Sequence, residues 1–134
     1  MSALEEMSVN KTNVSFGDDA VVIRQYNGGI TGGRALDYTD FTDDVIKAGH
    51  IVVRKKNDDG VYEYKPLKVT SGSYAALGGG EEYAGVVVRS RMKGEAVAIM
   101  DDGRVNDEAM PYPIDDTRRA ALKTALPNLI FEHD

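Results

Sequence analysis

Imidazole, carboxylate and hydroxyl side chains are the groups with which this chain could do chemistry, and their placement decides which could work together. There are two histidines. His50 opens the apolar run IVV, and His133 stands one residue from the last. A small hydrolase would need His50 as its base, with Asp101 or Glu82 beside it, and that reading stands only if those side chains meet in one pocket. Ser71, Ser73 and Ser90 lack the Gly-x-Ser-x-Gly elbow that lifts a nucleophile out of a strand-to-helix turn. They read as loop and strand-edge serines. The absence of cysteine removes thiolate nucleophiles, disulfides and cysteine-based zinc sites together.

Two further patterns carry weaker signals. GGITGGRA, residues 28–35, has the glycine spacing of a phosphate-binding loop, but Arg34 and Ala35 stand where that loop needs Lys and then Ser or Thr for phosphate and magnesium. A turn between extended segments explains it. The pairs Asp58-Asp59, Asp101-Asp102 and Asp115-Asp116 could converge on a cation or split their pKa values for acid–base work. The first two instead precede Gly60 and Gly103 as hairpin turns, and the third sits where a helix needs a cap. The spaced Asp-x-Asp-x-Asp-Gly loop is missing. The sequence therefore predicts no catalytic residue, no cofactor and no metal site.

The elements that would position these groups fit one domain of 134 residues, large enough to bury somewhat under roughly 70% of its unfolded surface. Glycine is abundant, at 14 residues, and tryptophan is absent; turns and strands are favoured over helices. The net charge of −6 and pI near 4.9 oppose nucleic acid and acidic lipid as partners, because a phosphate backbone is bound by neutralising it with Lys and Arg. No apolar run reaches the eighteen or so residues of a membrane span, and MSALEEMSVNKTNVSF lacks the basic and apolar regions of a secretory leader. An intracellular site of synthesis is expected. Arg54-Lys55-Lys56 and Arg89-Ser90-Arg91-Met92-Lys93 are local basic patches, expected to be solvated faces or edge-strand protection.

Residues 1–17 show scattered apolar side chains without period and read as a flexible N-terminal arm. Residues 18–134 read as a single β-rich domain. AVVIRQY, residues 20–26, is a β-branched strand candidate, and NGGITGGR is expected to turn the chain. In ALDYTDFTDDVIK, Thr42 or Asp43 is placed to cap one helical turn ended by Gly49. HIVVRKK and VYEYKPLKV form a hairpin through Asn57-Asp58-Asp59-Gly60. SGSYAALGGGEE reads as a flexible loop. The Val86-Val87-Val88 run of YAGVVVRSRMK predicts a strand buried on both faces. EAVAIM and RVNDEAM are expected to pair through Asp101-Asp102-Gly103. Asp115 or Asp116 then caps a helix whose Ala121, Leu122, Ala125 and Leu126 share one face, Pro127 ends it, and NLIF closes as a strand. The fold class is a β-rich α+β: a small compact β domain with short hairpins, one C-terminal helix, a final strand and the arm.

The order AGHIVVRKK, YEYKPLKV, YAGVVVRS, EAVAIMDDGRVN, MPYP and DDTRRAALKTALPNLIF resembles the head decoration proteins of tailed phages, the lambda type. The resemblance spans roughly residues 49–131 and rests on Gly85-Val86-Val87, on Gly103, and on a short capped helix followed at once by an apolar strand. It implies a homotrimer at the local three-fold positions of an expanded capsid, clamping neighbouring major capsid subunits, with no catalysis. It implies assembly on the virion exterior after synthesis in the host cytoplasm. The first 48 residues differ, carrying SALEEMS, AVVIRQY and the glycine run in place of a shorter arm rich in Thr, Ala and Pro. In that family the arm pairs with a capsid strand; VNKTNVSF suits such pairing, and Val9, Val14 and Phe16 are its expected capsid contacts. The other structural reading is a fibre base or tail component.

Overall fold

The β-branched run Ile51-Val52-Val53 and its return YEYKP form a hairpin. β3 (Ile51–Lys56) and β4 (Tyr62–Pro66) pair antiparallel, with Val52 opposite Pro66 and Lys56 opposite Tyr62. Asn57 shapes the turn: its Oδ1 accepts from the backbone N–H of Asp59 at 2.9 Å and of Val61 at 3.0 Å, as short Asx side chains do in turns. A computed structural model supplies this geometry and describes residues 19–134. The predicted arm, with Val9, Val14 and Phe16, lies outside the described residues.

The remaining elements, in chain order, are α1 (Asp19–Val22), β1 (Ile23–Arg34), β2 (Val45–Ile46), β5 (Val69–Thr70), β6 (Ser73–Tyr74), β7 (Glu82–Val87), β8 (Arg91–Met92), β9 (Val97–Asn106), α2 (Asp116–Ala125) and β10 (Leu129–Glu132). The main sheet runs β1-β9-β7-β3-β4, and β10 also pairs with β9. β1 holds one edge of β9. β7 and β10 share the other, β7 antiparallel along Ile99 and Met100 and β10 parallel along residues 103–106.

Side chains alternate across this sheet, so its two faces build two cores. Ile51, Val53, Tyr83, Val86, Met100 and Val105 point to one face, under Leu122 of α2, Leu129 of β10, Val22 of α1 and Tyr74 of β6. Val52, Ala84, Val87, Val97 and Ile99 point to the other, where Ile46 and Tyr64 join them and Leu36, Tyr38 and Phe41 form the lid. The expectation for the Val86-Val87-Val88 run is met at its first two residues: Val86 and Val87 are fully buried, one in each core. Val88 lies past the end of β7 and only packs against the first core. Burying each such side chain contributes roughly 1.5–3 kcal/mol.

The structure corrects several local expectations. The glycine run does not turn the chain; β1 continues through it to Arg34, with register shifts between Tyr26 and Gly28 and between Gly28 and Gly29. The reason is close approach: a Cβ on Gly29 would stand 2.0 Å from the carbonyl oxygen of Ile99. Likewise Asp101-Asp102-Gly103 is no hairpin, since β9 passes straight through it. A Cβ on Gly103 would lie 2.3 Å from the Gln25 carbonyl oxygen, so glycine here lets β1 cross close over β9. At the start of AVVIRQY, Ala20 to Val22 form the turn of α1 and only Ile23 onward is extended. Residues 39–44 form turns and bends in place of a helical turn. The start of SGSYAALGGGEE closes a small hairpin of β6 with the preceding β5, turning on Ser71 (φ 53°) and Gly72 (φ 81°), both in the left-handed region that a type I′ turn requires.

The C-terminal helix forms as expected, with Asp115 as its N-cap accepting from the Arg118 N–H at 2.8 Å. Its buried stripe is narrower than expected: Leu122 is buried and Leu126 half-buried, while Ala121 and Ala125 are exposed. Arg118, one turn before Leu122, completes the stripe with hydrogen bonds to Tyr83 Oη and to the carbonyl oxygens of Tyr74 and Ala75. A guanidinium thus does the work assigned to alanines.

Candidate interaction surface

β1 is twelve residues long and has β9 as its one strand partner among the described residues. No described strand pairs with its second edge, and an edge left without a strand is the template for adding another. Exposed apolar side chains flank that edge, Val21 in α1 at 55% and Tyr26 at 54%. On the second face of the sheet the lid covers only the Val97–Ile99 end of β9. Around Arg104 the face is open: Gln25, Arg104 and Ile130 stand in one row across β1, β9 and β10, Ile130 exposed. Glu132 ties this corner together, bonding Arg104 at 2.6 Å and Arg24 at 3.4 Å.

The start of β1 is held by a buried serine. Ser90, 1% exposed, donates from Oγ to Asp19 Oδ1 at 2.6 Å and from its N–H to Asp19 Oδ2 at 2.8 Å, and its Oγ accepts from the Ala48 N–H at 2.9 Å. It is thus a loop serine, as expected, but a buried one that anchors α1. Val22 follows, its Cγ1 standing 2.5 Å from where a Cβ on Gly49 would be. These contacts hold α1 against Ala48, Gly49 and Ser90.

The residues suited to hydrolysis are not brought together. His50 is buried, with Nε2 3.1 Å from the Leu67 carbonyl oxygen and Phe41, Tyr74 and Tyr112 edge-on around the ring at 5.3–5.8 Å. Burial lowers its pKa to about 4, against the weaker opposing influence of the Leu67 bond and of Asp43. Glu82 instead pairs with Arg54 at 2.7 Å, and that bond holds its carboxyl below the usual range. Asp101 lies on β9, and neither acid is among the groups acting on His50.

The other sequence features have structural partners. Arg54 and Lys56 lie over the Tyr62 ring at 4.3 and 5.3 Å, and Lys93 donates to the Phe41 carbonyl oxygen at 2.7 Å, while Arg89 and Arg91 are exposed. Tyr64, Tyr74 and Tyr83 are buried, and Tyr62 packs on the second core. His133 joins a cluster invisible in the sequence. Its Nδ1 lies 2.8 Å from Asp107 Oδ1, whose other oxygen accepts from Arg119 at 2.6 Å. The Asp107 bond raises the His133 pKa; burial raises that of Asp107, but the bonds from His133 and Arg119 outweigh it and leave it lowered. Sequence reading also missed the Asp43–Tyr112 bond of 2.7 Å, whose partners lie too far apart in the chain to signal each other. No group of three or more metal-ligating side chains is present among the described residues, and no helix there is long and apolar enough to cross a membrane.

Comparison with protein-family models, curated proteins and solved structures finds no match.

Proposed function

We propose that the protein is a structural component of a phage head: a decoration protein that binds as a homotrimer at the local three-fold sites of the expanded capsid and stabilises the shell. The observation that carries this reading is the edge of β1, twelve residues long and without a strand partner among the described residues, which follows Val9, Val14 and Phe16 in the chain. A long free edge is a liability for a lone subunit and an asset for one that is completed by its neighbours. The order of elements from β3 to β10, with the capped helix leading at once into the last strand, supports the resemblance to the lambda-type family. The partners on this reading are further copies of the chain and the major capsid protein, and the site of action is the capsid exterior. The geometry around His50 gives the hydrolase alternative no support.

Light scattering after size exclusion is the first test, with a mass of three subunits expected across micromolar concentrations. Expanded cognate capsids are then mixed with the full chain and with a version lacking residues 1–17, and heated. A ligand of the expanded lattice stabilises it by about 2.7 kcal/mol per site at a hundredfold excess over Kd, so the full chain should raise the temperature of disruption. The shortened version should still trimerise and should protect far less, because three arms bind multivalently. A one-subunit mass would favour a monomeric module of a fibre base or tail, and failure of both versions to bind capsids would sink the decoration reading.

A further inference from the structure

His50 has one ring nitrogen in use and one without a partner. Nε2 faces the Leu67 carbonyl oxygen, which can only accept, so Nε2 carries the proton and Nδ1 is left as an acceptor. No described group donates to Nδ1. Yet among the described residues no fully buried side-chain nitrogen or oxygen lacks a partner. Nδ1 is therefore the atom of this otherwise buried ring that reaches open space. That space is a cleft of about 390 Å³, lined besides His50 by Asp43, Asp44, Val45, Lys47, Pro111 and Tyr112.

The cleft has a consistent chemistry. Asp43 stands close enough for its charge to act on His50, and it is oriented by the Tyr112 hydroxyl, which donates to Oδ2 at 2.7 Å. An imidazole lone pair and a carboxylate thus share one cleft without a donor to satisfy both. Asp44 adds a second carboxylate, and Lys47 is the single cation in the lining. Tyr112 and Pro111 offer apolar surface of the kind on which the methylenes of a long basic side chain lie, and an aromatic face attracts a cation. The volume is at the small end of the range for ligand sites, about 300–1,000 Å³, enough for one side chain. An anion would meet three acceptors and no free donor but Lys47.

We propose that this cleft receives the basic side chain, a lysine ammonium or an arginine guanidinium, of another polypeptide, which donates to His50 Nδ1 and Asp43 while its stem lies along Pro111 and Tyr112. This is a contact separate from the β1 edge and does not depend on the capsid reading.

The test uses the full chain, labelled with nitrogen-15 and observed through the imidazole resonances at fixed ionic strength. Acetyl-Gly-Lys-Gly-amide and acetyl-Gly-Arg-Gly-amide should each move the His50 Nδ1 resonance saturably. The acetyl-lysine and citrulline counterparts, which keep the shape and lose the charge, should leave it in place. Asp43→Asn with Asp44→Asn should weaken the response at least about tenfold, the loss expected for removing charge-assisted hydrogen bonds. Asp44→Asn alone, which spares the Tyr112 bond, should weaken it with the rest of the spectrum unchanged. Equal response to the neutral peptides, or no response at saturating peptide, overturns the proposal. So does a response that emerges only when residues 1–18 are removed, since the chain's own segment would then be the occupant.

Discussion

Replacing Ser90 by alanine should weaken the fold by about 2–4 kcal/mol, although only one oxygen is removed. Two losses combine. The Ala48 N–H, on a residue 1% exposed, loses its acceptor at 2.9 Å, and a buried donor left unpaired costs roughly 1–3 kcal/mol. The 2.6 Å bond to the Asp19 carboxylate disappears as well, and bonds to charged groups contribute about 1.5–3 kcal/mol. Asp19 is half-buried, so water recovers part of the second loss. Against a typical domain stability of about 5–15 kcal/mol, the effect is large. Urea unfolding should show a lower midpoint at unchanged slope, and hydrogen exchange should quicken first in α1 and the start of β1. Ser90→Ala and Asp19→Ala should not add, with a coupling of at least about 1 kcal/mol in the double-mutant cycle. A change under about 0.5 kcal/mol for Ser90→Ala, or additive effects, would mean that Ser90 does not anchor the entry to β1.

Three further outcomes are expected. Leu122→Ala should cost about 2–5 kcal/mol in urea or thermal unfolding, because Leu122 is fully buried and is the one buried residue of α2, whereas Ala121→Ser should change little. Gly29→Ala should be strongly destabilising by the same assay, since its methyl would meet the Ile99 carbonyl oxygen at 2.0 Å and the backbone of both strands would have to move. The third concerns pH. His133 has a raised pKa in the fold, so its contribution is fully present below its ordinary value and fades as pH rises through the raised one; Asp107 has a lowered pKa, so its contribution is present above its ordinary value and fades as pH falls through the lowered one. Unfolding measured across pH should show His133→Ala flattening the alkaline slope and making the acid slope shallower as well, since Asp107 then keeps only its Arg119 bond, and an unchanged alkaline slope would exclude the His133–Asp107 contact.

The parts of the fold legible in the sequence were those written in local code. The Asn57-to-Gly60 hairpin, the Asp115 cap, the stop at Pro127 and the final strand each announce themselves within a few residues. Val86-Val87 foretold burial on both faces because no polar residue interrupts it. The glycines misled, because a glycine that permits close backbone approach looks in sequence like one that permits a turn; Gly29 and Gly103 lie against backbone oxygens, whereas Gly60 has open space and a turn φ of 79°. Of the candidate surface, the strand AVVIRQY was visible from Ile23 onward, but its continuation through the glycine run and its place at the sheet edge depend on pairing with β9, from Ile23 with Val105 to Arg34 with Val97, far along the chain. The Ser90–Asp19, Asp43–Tyr112 and His133–Asp107 contacts likewise join residues with no periodic relation, and only the folded chain brings them together.

The position of β9 bears on how the chain can be made. It is flanked by β1 on one side and by β7 and β10 on the other, so the earliest described strand must wait for one of the last before either is satisfied. Closing such long loops precedes the contacts that reward it, which makes sheets of this kind fold on the millisecond-to-second scale. As the polypeptide leaves the ribosome at about 5–20 residues per second, the glycine-rich β1 emerges several seconds before its partner. During that interval an unpaired strand is presented to the cell, one that carries four glycines and the two arginines Arg24 and Arg34.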